Sequence, residues 1–159
     1  DSDQYVDGSI DTVHYADNSI TGAELADNID IAGTFDVTGA TTLDSTLTIA
    51  GSAVAGTITA GSQTGNVTLD FSADNNFVLT LTGNVTLVNP TTEIVGQSGF
   101  IVLIQDGTGG RTLAHGNQFF TPANAGITLS SGAADVDVLP YVVQAAGKIL
   151  LGTPQLDFS

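Results

Sequence analysis

Apolar positions in the second half of the chain alternate at period two, in short runs. Val67, Leu69 and Phe71 alternate with polar neighbours, and Phe77, Leu79 and Leu81 do the same. Such alternation puts one set of side chains on a single face of an extended strand. The run Phe100-Ile101-Val102-Leu103-Ile104 is apolar without alternation and predicts a central strand buried on both faces. Val136 and Val138, then Tyr141 to Val143, predict a further strand interrupted by Pro140. Ile149-Leu150-Leu151 and Leu156-Asp157-Phe158 predict short closing strands. The hexapeptide Thr64-Gly65-Asn66-Val67-Thr68-Leu69 recurs unchanged as Thr82-Gly83-Asn84-Val85-Thr86-Leu87, and each Gly-Asn pair predicts a hairpin-type turn followed by a strand. Gly107-Thr108-Gly109-Gly110 predicts another turn. Short strands with Gly-rich turns make residues 63–159 an all-β domain, predicted as a β-sandwich or jelly roll.

Upstream the period changes to six. Gly33, Gly39, Ser45 and Gly51 fall six apart, and two and four residues after each comes a side chain that is usually apolar. These are Phe35 and Val37, Thr41 and Leu43, Leu47 and Ile49, and Ala53 and Ala55. Each block reads as a short strand with one apolar face, and the small residue marks a turn or a close backbone approach. A single-chain β-helix built on hexads needs about three per coil and several stacked coils, more than residues 31–62 supply. The stripe Phe35, Val37, Leu43, Leu47 and Ile49 must therefore meet copies of itself. Three chains around an axis would close that core and remove the open strand edges. The expectation is a fibrous shaft of intertwined trimeric β-structure, ahead of the C-terminal domain.

Residues 1–30 hold a degenerate ten-residue repeat. Tyr5-Val6-Asp7-Gly8-Ser9-Ile10 aligns with Tyr15-Ala16-Asp17-Asn18-Ser19-Ile20, and Leu25-Ala26-Asp27-Asn28 begins a third copy. Asp-Gly and Asp-Asn pairs accept positive φ and mark turns. Thr21 and Glu24 have capping-box spacing. A repeat at fixed period predicts a linear or stacked segment.

Charge narrows the partners. The 159 residues carry 17 Asp and Glu against Arg111 and Lys148, a net charge of −15. Phosphate binding needs Lys and Arg to displace condensed counterions, so nucleic acid is excluded, and docking on anionic lipid is disfavoured for the same reason. Charged residues are still only 12% of the chain and hydrophobic ones 42%, so this is no disordered polyanion. Without Cys there is no disulfide framework or thiolate metal site. No window approaches the apolar length of a membrane-spanning helix, so membrane insertion is not expected. The chain opens at Asp1 and holds no Met, which predicts a processed product or a fragment of a longer polypeptide.

Three stretches carry a resemblance. Asp27 to Leu43 is similar to the shaft repeats of tail fibres from tailed bacteriophages, marine ones in particular, and the decad copies look like repeats that precede such shafts. Gly96-Gln97-Ser98-Gly99 through Gly110-Arg111-Thr112-Leu113 resembles a block of C-terminal domains in phage tail proteins. The resemblance implies a structural and adhesive virion fibre, the distal part of a homotrimeric tail fibre involved in host attachment. Its partners would be other virion tail proteins and a bacterial surface glycan or outer-membrane receptor. The alternatives are a capsid-decorating head fibre and a bacterial extracellular fibre or adhesin subunit. A polysaccharide-degrading tailspike is a fourth reading, and it fits less well. It would need two carboxyls flanking a cleft and normally a much longer β-helix.

Candidate chemistry is sparse. His14 and His115 lie in different zones with no partner at metal-ligand spacing, and no nucleophile-elbow motif is present, so no enzyme is expected. Asp7, Asp17 and Asp27 could hold Ca²⁺ between neighbouring chains, but turn formation accounts for them better. Asn66-Val67-Thr68 and Asn84-Val85-Thr86 match the glycosylation sequon, read here as a coincidence of turn chemistry. Arg111 could meet an acidic sugar or pair with Asp106 across the turn. The stretch from Gly116 to Ala134 mixes amide, hydroxyl and aromatic groups, with Asn117, Gln118, Phe119 and Phe120 at its start. Together with Arg111 these four are the candidate receptor-binding residues. The competing reading has both Phe residues covering the end of the domain.

Overall fold

The structure is a computed structural model, which describes Ala32 and residues 34–158. The decad repeats, the Thr21–Glu24 capping box, His14 and the three repeated Asp residues lie outside the described residues. The chain divides into two units, Asp1–Thr48 and Ile49–Ser159.

In the first unit the described residues have no regular secondary structure. Bends occur at Thr38-Gly39 and Asp44-Ser45, and a further pair at Ala50-Gly51 opens the second unit. These are the small positions of the six-residue period, where the chain can turn without a bulky Cβ. The apolar positions between them stand open: Phe35, Val37, Leu43, Leu47 and Ile49 are all exposed.

Apart from a 3-10 turn at Pro122–Asn124, the regular structure of the second unit is strand: β1 Thr57–Val67, β2 Asn76–Leu87, β3 Ser98–Gln105, β4 Leu113–His115, β5 Phe119–Phe120, β6 Val136–Ala145 and β7 Lys148–Leu151. They form one sheet in the order β1-β2-β3-β6-β7-β5, with β4 beside β2. The strands thus belong to one curled all-β sheet, and the two separate packed sheets of a sandwich or jelly roll are not distinguished. The first strands are parallel neighbours, β1 to β2 and β2 to β3, while β6 runs antiparallel to both β3 and β7. β1 also takes in the end of the hexad segment, since it begins at Thr57.

The parallel pairing corrects the hairpin reading. Gly65-Asn66 lies inside β1 and Gly83-Asn84 inside β2, so neither pair closes a turn. The two hexapeptide copies instead run side by side two residues out of register, with Gly65 beside Val85, Asn66 beside Thr86 and Val67 beside Leu87. Exact repetition here means successive passes of one winding chain. The return path explains why the strands bend. A straight β1 would put about 33 Å between Thr57 and Val67. Residues 68–75 must bring the chain back from beside Val67 to beside Thr57, yet they reach only about 30 Å when extended. The strand shortens its end-to-end span at irregularities between Thr59 and Ser62 and between Gln63 and Gly65. β2 bends correspondingly, pairing with β3 through Phe77–Leu81 and with β4 through Val85–Leu87. At this bend Gly83 packs closely on β1, and a Cβ there would force the Thr64 hydroxyl to move.

The core lies on the inner face of this curled sheet. Phe77, Leu79 and Leu81 of β2, Ile101 and Leu103 of β3, and Leu139, Tyr141 and Val143 of β6 are buried. Leu69 and Phe71 are buried too, but beyond the end of β1, in the loop that folds over the core. Phe71 packs edge-on against Phe77 and against Tyr141, both with ring centroids 5.2 Å apart. Such pairs add roughly 0.5–1.5 kcal/mol beyond burial. The Tyr141 hydroxyl donates to the Asn75 carbonyl at 2.7 Å, and burial pushes its pKa up to about 12.

β3 is central but not buried on both sides. Ile101 and Leu103 are enclosed, whereas Phe100 is 49% exposed and Val102 and Ile104 are half-buried. The predicted interruption at Pro140 is absent, and β6 runs through it. Gly152 donates to the Pro140 carbonyl, so the missing N–H of Pro140 falls on the β7 side of the strand, and its register with Phe100 on β3 is kept.

Candidate functional site

Gln105, the last residue of β3, organises the loops at that end of the sheet. It is buried, and its amide nitrogen donates to the carbonyls of Arg111 at 3.0 Å and Ser130 at 2.9 Å. Its amide oxygen accepts from the Arg111 N–H at 2.8 Å. One side chain thus satisfies backbone groups of two loops that are remote in sequence, and an apolar residue would orphan them.

The Gly107–Arg111 turn closes on Asp106. One carboxylate oxygen accepts the N–H groups of Thr108 and Gly109, an Asx-type turn, and the other accepts Arg111 Nε at 3.2 Å and Nη2 at 2.7 Å. The Arg111 guanidinium, helped by those backbone donors, lowers the Asp106 pKa to about 2. Gly109 and Gly110 have φ of 74° and 72°, and a Cβ at Gly109 would strike the Ser131 carbonyl. The second loop is pinned from below by buried Asp137, which accepts the Ser130 N–H and hydroxyl and the Asp157 N–H.

Between the two loops lies a cleft of about 250 Å³. Arg111, Thr112, Thr128, Ser130 and Ser131 give it polar groups, and Ile127 and Leu129 give it apolar ones. Hydroxyls and a guanidinium beside aliphatic surface suit a hydroxylated, anionic or neutral ligand such as a sugar. Three non-glycine residues between Gly116 and Ala134 adopt positive φ: Ala123 at 52°, Asn124 at 56° and Ala134 at 64°. Strained backbone of this kind concentrates at ligand-binding loops.

The other candidates sit elsewhere. Asn117 and Gln118 are tied to Asn89, which donates from Nδ2 to Asn117 Oδ1 at 2.6 Å and accepts the Gln118 N–H at 3.1 Å. Asn117 is exposed and Gln118 is half-buried. Phe119 is only 3% exposed and belongs to the core, which removes it from any contact surface. Phe120 points outward, with Lys148 Nζ 5.7 Å from its ring centroid. The pair was ambiguous in sequence because adjacent strand residues face opposite ways, and the sequence does not say which is inside. Sequence alone does not mark Thr112 and Thr128 as site residues, because isolated threonines in a threonine-rich β chain carry no signal.

His115 Nδ1 lies 3.0 Å from the Gly116 carbonyl and its ring meets Phe119 edge-on. Among the described residues no group of three His, Asp or Glu side chains could hold a metal ion, and no helix is long and apolar enough to cross a membrane.

Comparison with known proteins gives one family. A family model described as "Putative phage tail fibre C-terminal domain" matches residues 63–148, more than half of the chain, including the whole of β2 to β6 and the Gly107–Arg111 turn. Nothing in that match favours a head fibre or a bacterial adhesin. No curated protein and no solved structure matches. The chain belongs to this family of phage tail fibre C-terminal domains, and is a virion component of the tail fibre.

Proposed function

We propose that the protein is the distal, host-recognising part of a homotrimeric tail fibre, and that it binds a bacterial surface glycan in the cleft between the Gly107–Arg111 turn and the Thr128–Ser131 segment. One observation carries the trimeric fibre beyond family membership. Phe35, at 70% exposed, and Leu47, at 62%, lead a stripe of large apolar side chains that nothing among the described residues covers. Soluble proteins do not leave such a stripe open, and symmetric copies are the usual cover. Sedimentation of the purified chain at micromolar concentration should give three copies. A stable monomer would overturn the fibre reading.

Recognition in the cleft fits the general placement of binding groups on loops held by a rigid scaffold. Arg111→Ala and Ser130→Ala should each reduce adsorption to host cells by about tenfold or more, as loss of about 1.4 kcal/mol of binding requires. Asn117→Ala with Gln118→Ala is the parallel test of the second surface. If only that pair lowers adsorption, recognition belongs near Asn89 and not in the cleft.

The same reading makes this a binding protein without catalysis. No acid lines the cleft. The carboxylate of Asp70, beside a separate apolar pocket, accepts from the Ser72 hydroxyl and N–H, which lowers its pKa and keeps it ionised. A glycosidase needs one carboxyl held protonated. Incubation with host capsule or lipopolysaccharide should release no reducing ends. Turnover that follows the purified protein would refute this.

A further inference from the structure

Among the described residues, none covers the outer face of the sheet. Its outward positions form apolar rows across the strands. Val78, Val102 and Val138 align across β2, β3 and β6, and Val142, Leu150 and Phe120 align across β6, β7 and β5. Phe100 sits beside Pro140 between those rows. Phe100 is 49% exposed, Val142 40% and Phe120 38%. The inner face of the same strands already forms the core, so this sheet is apolar on both sides. Strands of that pattern are normally covered on both faces.

Charge says what the cover is. The chain carries −15, so two copies repel wherever their carboxylates meet. The outward positions of β2, β3, β6 and β7 hold no Asp or Glu, and their single charge is the cation Lys148. A second copy can approach this face without placing like charges together. In a threefold assembly, identical residues meet only along the axis, and an apolar face is the kind that tolerates meeting itself there.

We infer that three copies of this chain converge through the outer face of β3, β6 and β7, so that the C-terminal domain has its own trimer contact in addition to the shaft. This rests on the homotrimeric reading above. The contact joins already tethered domains, so even a modest apolar surface closes it at high effective concentration.

The absence of Cys allows a direct test on the full chain. Val142→Cys and Phe100→Cys place a thiol in the face, and Ala125→Cys places one on an exposed loop outside it. The maleimide labelling rate of each is measured on material whose oligomeric state is fixed by sedimentation. The expected result is a trimer in which both face thiols react at least about tenfold slower than the loop thiol, as burial behind an opening equilibrium requires. A trimer whose face thiols react as fast as the loop thiol overturns this contact and leaves the shaft trimer standing. A monomer overturns both. Protection that arises only on adding another virion protein also overturns it, and assigns the face to that partner. The two face positions guard against a single substitution that misfolds.

Discussion

Asp106 and Gln105 are adjacent, yet they hold the candidate cleft by different physics. Asp106 works through charge, and its pKa of about 2 makes the effect pH-dependent. A carboxyl lowered by folding stabilises the folded state fully above its unfolded pKa, near 3.9, and that contribution is lost as pH falls through about 2. The turn should therefore stay closed at pH 5 and open between roughly pH 4 and pH 2. The carboxyl ¹³C shift of Asp106 should titrate with a midpoint near 2, and a midpoint near 4 would show that the Arg111 pair does not form in solution. Gln105 has no charge and acts through three buried hydrogen bonds. Gln105→Leu keeps the volume but strands the backbone groups of Arg111 and Ser130, at a cost of about 3 kcal/mol in denaturant unfolding. A loss under about 0.5 kcal/mol would mean that water replaces the amide. The sequence showed Arg111 and Asp106 as a pair because both flank one Gly-rich turn. It did not show Gln105, which in sequence is a polar residue ending an apolar run and gains its role only when the Ser130 loop folds beside it.

For whole elements, local pattern predicted strands well and their partners poorly. Phe77, Leu79 and Leu81 are inward on β2 as alternation requires, because period two is a property of the extended backbone alone. Pairing direction is set by what the chain does between strands, and the Gly-Asn pairs pointed the wrong way. They supply small residues for a bend within long strands and close no hairpin: Gly65 has φ of 69°, whereas Gly83 has no positive φ. Gly83 is constrained by contact. Gly83→Ala should destabilise the domain by about 1–3 kcal/mol, the usual cost of overpacking. Thr64→Ala removes the colliding hydroxyl, so the double substitution should recover part of that loss in a double-mutant cycle. Strict additivity would mean that the two passes of the repeat do not touch at this point. The central run Phe100–Ile104 is a subtler case. Its apolar pattern predicts burial on both faces, and the described residues supply only the inner cover.

At the scale of the whole molecule, the proposed trimer sets apolar attraction against acidic repulsion among copies. Each chain would bring −15, much of it on the surface, to an assembly whose attraction would come from exposed apolar side chains. Repulsion between exposed charges is screened over about 10 Å at 0.1 M salt, whereas apolar burial is not weakened by monovalent salt at these concentrations. Raising NaCl from about 0.02 M to 0.5 M should therefore raise the thermal dissociation midpoint of the trimer, the reverse of an assembly held by salt bridges. Calcium is the informative control. If Asp7, Asp17 and Asp27 serve only as turn residues, Ca²⁺ should stabilise the trimer no more than NaCl of equal ionic strength, and chelation should change nothing. If they bind metal between neighbouring chains, micromolar Ca²⁺ should raise the midpoint where the same ionic strength of NaCl has no effect, and Asp17→Asn should abolish that rise. A midpoint that falls with NaCl would count against the apolar contact itself, because screening would then be removing the attraction and not the repulsion.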